Sequence, residues 1–109
     1  MPLVRIALPA GTTAATQAAI ADAIHTALVA TFAVPADDRF QLIDEYAPSQ
    51  MICTASYLGI AHSSRMLLIQ VFASFGRDTA TKKALFRAIA ENVQQGAGWP
   101  AADVFIHFV

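Results

Sequence analysis

Apolar and polar residues change their period along this chain in an order that predicts strand, helix, strand, and then the same again. Val4, Ile6 and Leu8 alternate with Leu3, Arg5 and Ala7, the period of two expected of a strand. Thr12 or Thr13 can cap a following helix, in which Ile20, Ile24, Ala27, Leu28 and Phe32 recur at helical spacing and make one apolar face. Pro35 closes that region, because the residue before a proline avoids the helical basin. Arg39 to Ile43 reads as a second strand, and Met66 to Ala73 as a strongly apolar third. Asp78 or Thr79 can cap a second helix with a stripe of Leu85, Ala88, Ile89 and Val93. Lys82, Lys83, Arg87 and Glu91 fall on its wet side, Gly96 and Gly98 are its stop, and Val104 to Val109 is the last strand. Residues 47–64 connect the halves, with Pro48, Gly59 and a short strand expected at Met51 to Thr54.

The two halves match when the chain is displaced by about 65 residues. Leu3 then meets Leu68, Gly11 meets Gly76, Pro35-Ala36 meets Pro100-Ala101, Asp38 meets Asp103 and Phe40 meets Phe105. The expectation is one domain over 1–109, built of two β-α-β units at about 2–46 and 65–109. Strands within a unit should pair in parallel through a right-handed crossover. A pseudo-twofold axis would make the first and third strands antiparallel neighbours. The fold class is α/β (α+β): a four-stranded mixed sheet with two helices on one face. The third strand is apolar on both sides, with Leu67, Ile69 and Val71 on one and Leu68 and Phe72 on the other. A sheet covered on one face only would then need other subunits on its bare face, which predicts an obligate oligomer.

Composition agrees with that reading. The 109 residues are 56% apolar and 14% charged, against about 25% charged in an average domain. The net charge of −1 argues against nucleic acid as partner. No apolar run approaches the roughly 20 residues of a membrane helix, and the start lacks a signal-peptide pattern. A lone cysteine, Cys53, makes no internal disulfide and suits the cytoplasm; its apolar surroundings place it in the core. His25, His62 and His107 are too scattered for a zinc motif, and no glycine-rich phosphate loop occurs, so neither metal nor cofactor is expected.

The topology brings three residues to one end of the sheet. Pro2 starts the first strand, Asp38 precedes the second, and the third strand returns to that end at Phe75-Gly76-Arg77. Asp103 falls at the opposite end. Removal of the initiator Met1, which a following proline permits, would leave Pro2 as a secondary amine. An α-amino group titrates near 7.7–8.0, a prolyl amine is more basic, and burial beside a cation lowers it again. A base tuned near neutrality can move protons on carbon next to a carbonyl. Arg77 opens the second helix, where it can hold a carboxylate by two parallel hydrogen bonds. Asp38 suits either catalysis or a turn bonded to its own backbone, and its recurrence as Asp103 favours the latter.

Pro2 on a strand, the doubled β-α-β unit and the Gly-Arg before the second helix resemble the tautomerase superfamily. The likeness is nearest to its malonate semialdehyde decarboxylase branch. It is carried by Phe32-Ala33-Val34-Pro35, Asp38-Arg39-Phe40-Gln41, Leu58-Gly59, Ser63-Ser64 and Gly76-Arg77 followed by Lys82. The resemblance implies the tautomerase/MIF-like fold, a homotrimer, Pro2 as general acid or base, Asp38 handling water or protons, and Arg77 on a substrate carboxylate. It matches His25 to a histidine of some relatives, as a substrate-binding residue, while the place of His25 on the flank of the first helix near Asp22 reads as a surface histidine. It also sets Phe75 where the decarboxylase has a first arginine. Relatives extend beyond the last strand, so a more open pocket is expected here. Phe72, Phe75 or Phe105 would line its apolar wall.

The expected function is keto-enol isomerisation of a small 2-oxo or enol carboxylate. A decarboxylase or hydratase with Pro2 as general acid is the alternative. A non-catalytic, ferredoxin-like domain for a small ligand is the third reading, and an all-antiparallel sheet would mark it.

Overall fold

The computed structural model describes residues 2–74 and 76–109. Strand β1, Leu3–Pro9, buries Val4, Ile6 and Leu8 and turns the alternate residues the other way. Helix α1, Ala14–Phe32, starts where Thr13 accepts the Thr16 N–H through its hydroxyl at 3.1 Å. It buries Ile20, Ile24, Ala27, Leu28 and Phe32, the stripe its sequence spacing predicts. It ends at Ala33, whose φ of 57° is a left-handed turn unusual for a residue with a Cβ. Strand β2 is Phe40–Tyr46.

The connector departs from expectation. Residues 51–54 form no strand; the chain makes a 3-10 turn at Pro48–Gln50 and then a hairpin of β3, Ser56–Tyr57, with β4, Ile60–Ala61. Leu58 and Gly59, with φ of 50° and 78°, form its two-residue loop, a backbone that suits the twist of paired strands. Cys53 is exposed rather than in the core.

Strand β5, Leu67–Phe72, leads to helix α2, Thr79–Ala97, capped by the Asp78 carboxylate on the Thr81 N–H at 2.8 Å. Gly96 lies inside this helix; Gly98 alone ends it, in the left-handed region at φ 67°. A 3-10 turn, Ala101–Asp103, enters β6, Val104–Phe108.

The main sheet runs β2-β1-β5-β6. β1 pairs in parallel with β2 and antiparallel with β5, and β5 pairs in parallel with β6. The parallel pairs rule out the fully antiparallel ferredoxin-like sheet. Both helices pack on one face, where Ile6, Leu8, Ile24, Ile69, Leu85 and Ile89 form one continuous core. The other face leaves Phe40 49% and Leu42 51% exposed, the bare apolar surface expected of such a sheet. Among the described residues no helix is long and apolar enough to cross a membrane.

Candidate active site

Strand register places Pro2. One step before the pairs Leu3↔Phe40 and Leu3↔Phe72, it stands level with Arg39 on one side and Ala73 on the other. It is buried. Parallel pairing of β5 with β6 brings Phe108 to the same end, opposite Val71, and the Val109 N–H closes on the Val71 carbonyl at 2.9 Å. Helix α1 finishes at this end and α2 starts from it, so four stretches distant in sequence, near residues 2, 32–40, 72–79 and 108, converge there.

Arg77, half-buried in the link from β5 to α2, is oriented by three contacts. Its guanidinium lies over the Phe32 ring, 4.7 Å from the centroid. Nη2 reaches the Phe32 carbonyl and Nη1 the Ser74 hydroxyl, both at a long 3.4 Å. Phe32 in turn packs against Phe108, with centroids 5.8 Å apart. Lys82, one turn into α2, holds its ammonium 4.9 Å from the centre of the Phe108 ring. Two aromatic rings thus carry two cations, and neither cation has a described carboxylate within ion-pair reach.

Asp38 is half-buried in the loop before β2, where its N–H bonds the Pro35 carbonyl at 3.0 Å. That loop is tied to α1 from both sides. His25 Nε2 donates to the Ala36 carbonyl at 2.8 Å. Arg39 pairs with Asp22 at 2.8 Å and donates to Gln41, whose amide reaches the Ala21 carbonyl. His25 therefore braces the loop that carries Asp38.

The sequence-derived set divides. Pro2, Asp38 and Arg77 share one end of the sheet. Phe75 and Met1 lie outside the described residues. Phe105 is a correction: it pairs with Leu68 toward the far end of β6 and packs on Tyr57 at 6.4 Å, so it does not wall this end. Phe32, Phe108 and Lys82 take part instead. The wet-side assignment of Lys82 missed its contact with the last strand. Asp103 is at the opposite end, 5% exposed, accepting from the Ser63 N–H at 2.8 Å and hydroxyl at 2.6 Å.

Among the described residues two groups have altered acidity. The Thr81 side chain and then its backbone N–H hold the Asp78 carboxyl below its usual value. On the open sheet face the Asp44 carboxylate, at 2.9 Å, raises the Arg5 guanidinium further. Among the described residues no three His, Cys, Asp or Glu side chains gather as a metal site. A hollow of about 330 Å³ lies between the connector and the open face, lined by Arg5, Asp44, Met51, Gln70 and His107 rather than by Pro2 or Arg77.

Comparison with known proteins agrees with this architecture. Two family models, each described as tautomerase enzyme, match residues 38–109 and 2–60. Probable tautomerase YusQ of Bacillus subtilis (strain 168) is 32% identical over 106 residues, 97% of this chain and 84% of YusQ. The crystal structure of FG41 malonate semialdehyde decarboxylase inhibited by 3-bromopropiolate superposes with a TM-score of 0.92. It is 39% identical, covering 98% of this chain and 81% of that one. A Q0 fused 4-OT wild type symmetric trimer superposes at 0.80 with 27% identity, covering 98% and 83%. The fold and the matching family models define an enzyme of the tautomerase class. This chain belongs to the tautomerase family, on the side of the malonate semialdehyde decarboxylases.

Proposed function

We propose that this chain catalyses keto-enol isomerisation of a small 2-oxo or enol carboxylate, with Pro2 as general base once Met1 is removed. The supporting observation is the buried Pro2 at the head of β1, on the same end of the sheet as an Arg77 without a described carboxylate partner. An apolar surround and a nearby guanidinium both favour the neutral amine. The Pro2 lone pair takes a proton from the carbon beside the carbonyl, and the electron pair moves onto oxygen as an enolate. The resulting secondary ammonium N–H₂⁺ gives that proton to the enolate oxygen to form the enol. In the ketonisation direction Pro2 takes the enol hydroxyl proton and delivers it to the carbon, so no atoms are gained or lost. Arg77 holds the substrate carboxylate and Asp38 supports proton handling.

The working unit in this proposal is a homotrimer. The exposed Phe40 and Leu42 supply an apolar face for a second copy, and a related chain forms a symmetric trimer. Neighbouring copies would add the remaining walls of the site.

Ketonisation of phenylenolpyruvate by the methionine-processed protein is the test, with intact mass reporting the processing. Pro2→Ala should lower the rate about 10²–10⁴-fold with the trimer intact. Unchanged turnover in that variant overturns the proposal.

The 39% identity to a malonate semialdehyde decarboxylase favours a second reading, in which cationic Pro2 is the acid and Asp38 activates water. A pH-rate profile separates the two. A rate rising through the proline titration marks the base, and a falling one marks the acid. Asp38→Asn should abolish a hydratase while leaving ketonisation within about tenfold.

A further inference from the structure

We infer that Lys82 is a second carboxylate-binding residue of this site, acting beside Arg77 across the Phe32–Phe108 pair. The assignment rests on the active-site reading above. A lysine on the outer face of a helix ordinarily extends into water, because its ammonium is strongly hydrated. Lys82 is half-buried instead and lies over Phe108, which itself packs on the ring beneath Arg77. Asp78, the N-cap four residues earlier and its natural ion partner, spends its carboxylate on the Thr81 N–H and makes no ion pair with Lys82 among the described residues. The ammonium keeps its donors free, since a ring face attracts the charge without accepting all three N–H groups.

Two cations on one apolar floor match a substrate with an anionic end and an unsaturated body. The rings receive the body while the guanidinium and ammonium share or divide the negative charge. The charge on Lys82 then selects acids over their neutral analogues.

The test uses the processed full-length protein with the unreactive acid 3-phenylpropionate and its neutral amide, 3-phenylpropionamide, measured by calorimetric titration. Lys82→Met keeps the stem on Phe108 and removes the charge; Lys82→Arg restores it. The acid should bind Lys82→Met about tenfold more weakly and Lys82→Arg within about twofold of the unaltered chain. The amide should bind all three alike. Equal acid affinity in the unaltered chain and Lys82→Met, a parallel shift for acid and amide, or no acid binding by the unaltered chain overturns the assignment. Acid binding that depends on Lys82 in a protein without ketonisation activity would sink the catalytic reading and leave this one standing.

Discussion

The Arg77 guanidinium sits 4.7 Å over the Phe32 ring and points Nη2 at the carbonyl of that same residue. The contact fastens the end of α1 to the link before α2, across 45 positions of sequence. It gives a long, flexible side chain one preferred direction. Arg77→Ala should therefore cost both carboxylate binding and orientation. We expect kcat/KM for phenylenolpyruvate to fall about 10²-fold, on the scale of a charge-assisted hydrogen-bonded pair. Steady-state kinetics would show it, and a change below threefold would contradict the role.

Much of this arrangement is legible in the chain itself. The pair Leu3↔Phe40, moved by 65 positions, becomes Leu68↔Phe105, and both pairs exist in the sheet. Register follows from the alternation that hides Ile6 and Ile69 and leaves Leu42 out, because a one-residue slip would turn every side chain over. The stripe from Ile20 to Phe32 is equally plain. What escaped is of three kinds. Residues 51–54 are apolar enough for a strand, but no partner strand meets them, and Cys53 is left exposed. Lys82 on Phe108 and Arg77 on Phe32 are tertiary contacts between residues that local periodicity treats separately. Gly96 shows a third limit: a glycine costs a helix only about 1 kcal/mol, which the packing of Val93 beside it absorbs.

Asp78 supplies a pH-dependent part of stability. Its carboxyl is more acidic in the folded protein, so the ionised cap stabilises the fold above the unfolded carboxylate range. That contribution is lost as pH falls through the lowered folded value. Asp78→Ala should melt about 5 °C below the unaltered chain at pH 7. The gap should shrink as pH falls through that lowered value. A gap that is constant with pH would contradict the charged cap.

Asp103 holds the connector to the second unit at the end of the sheet opposite Pro2. Asp103→Ala strips the Ser63 N–H and hydroxyl of their buried acceptor. Denaturant unfolding should show a loss of about 2–3 kcal/mol. Ketonisation by the folded fraction should remain unchanged, which distinguishes this aspartate from its sequence counterpart Asp38.

In the proposed homotrimer the bare sheet face carries the assembly. A charge at Leu42, which is half-exposed beside the Arg5–Asp44 pair, would have to be desolvated in any subunit interface. Leu42→Asp should convert the trimer to monomer in sedimentation at micromolar concentration. A trimer of undiminished stability would place the interface elsewhere.

The free nitrogen of Pro2 is the claim on which the catalytic account turns. Two forms of the same polypeptide isolate it: one with Met1 removed, one with Met1 retained, so that the nitrogen is an amide with no basic lone pair. Ketonisation of phenylenolpyruvate should be fast in the first and at background in the second. Equal rates in the two forms would contradict the account.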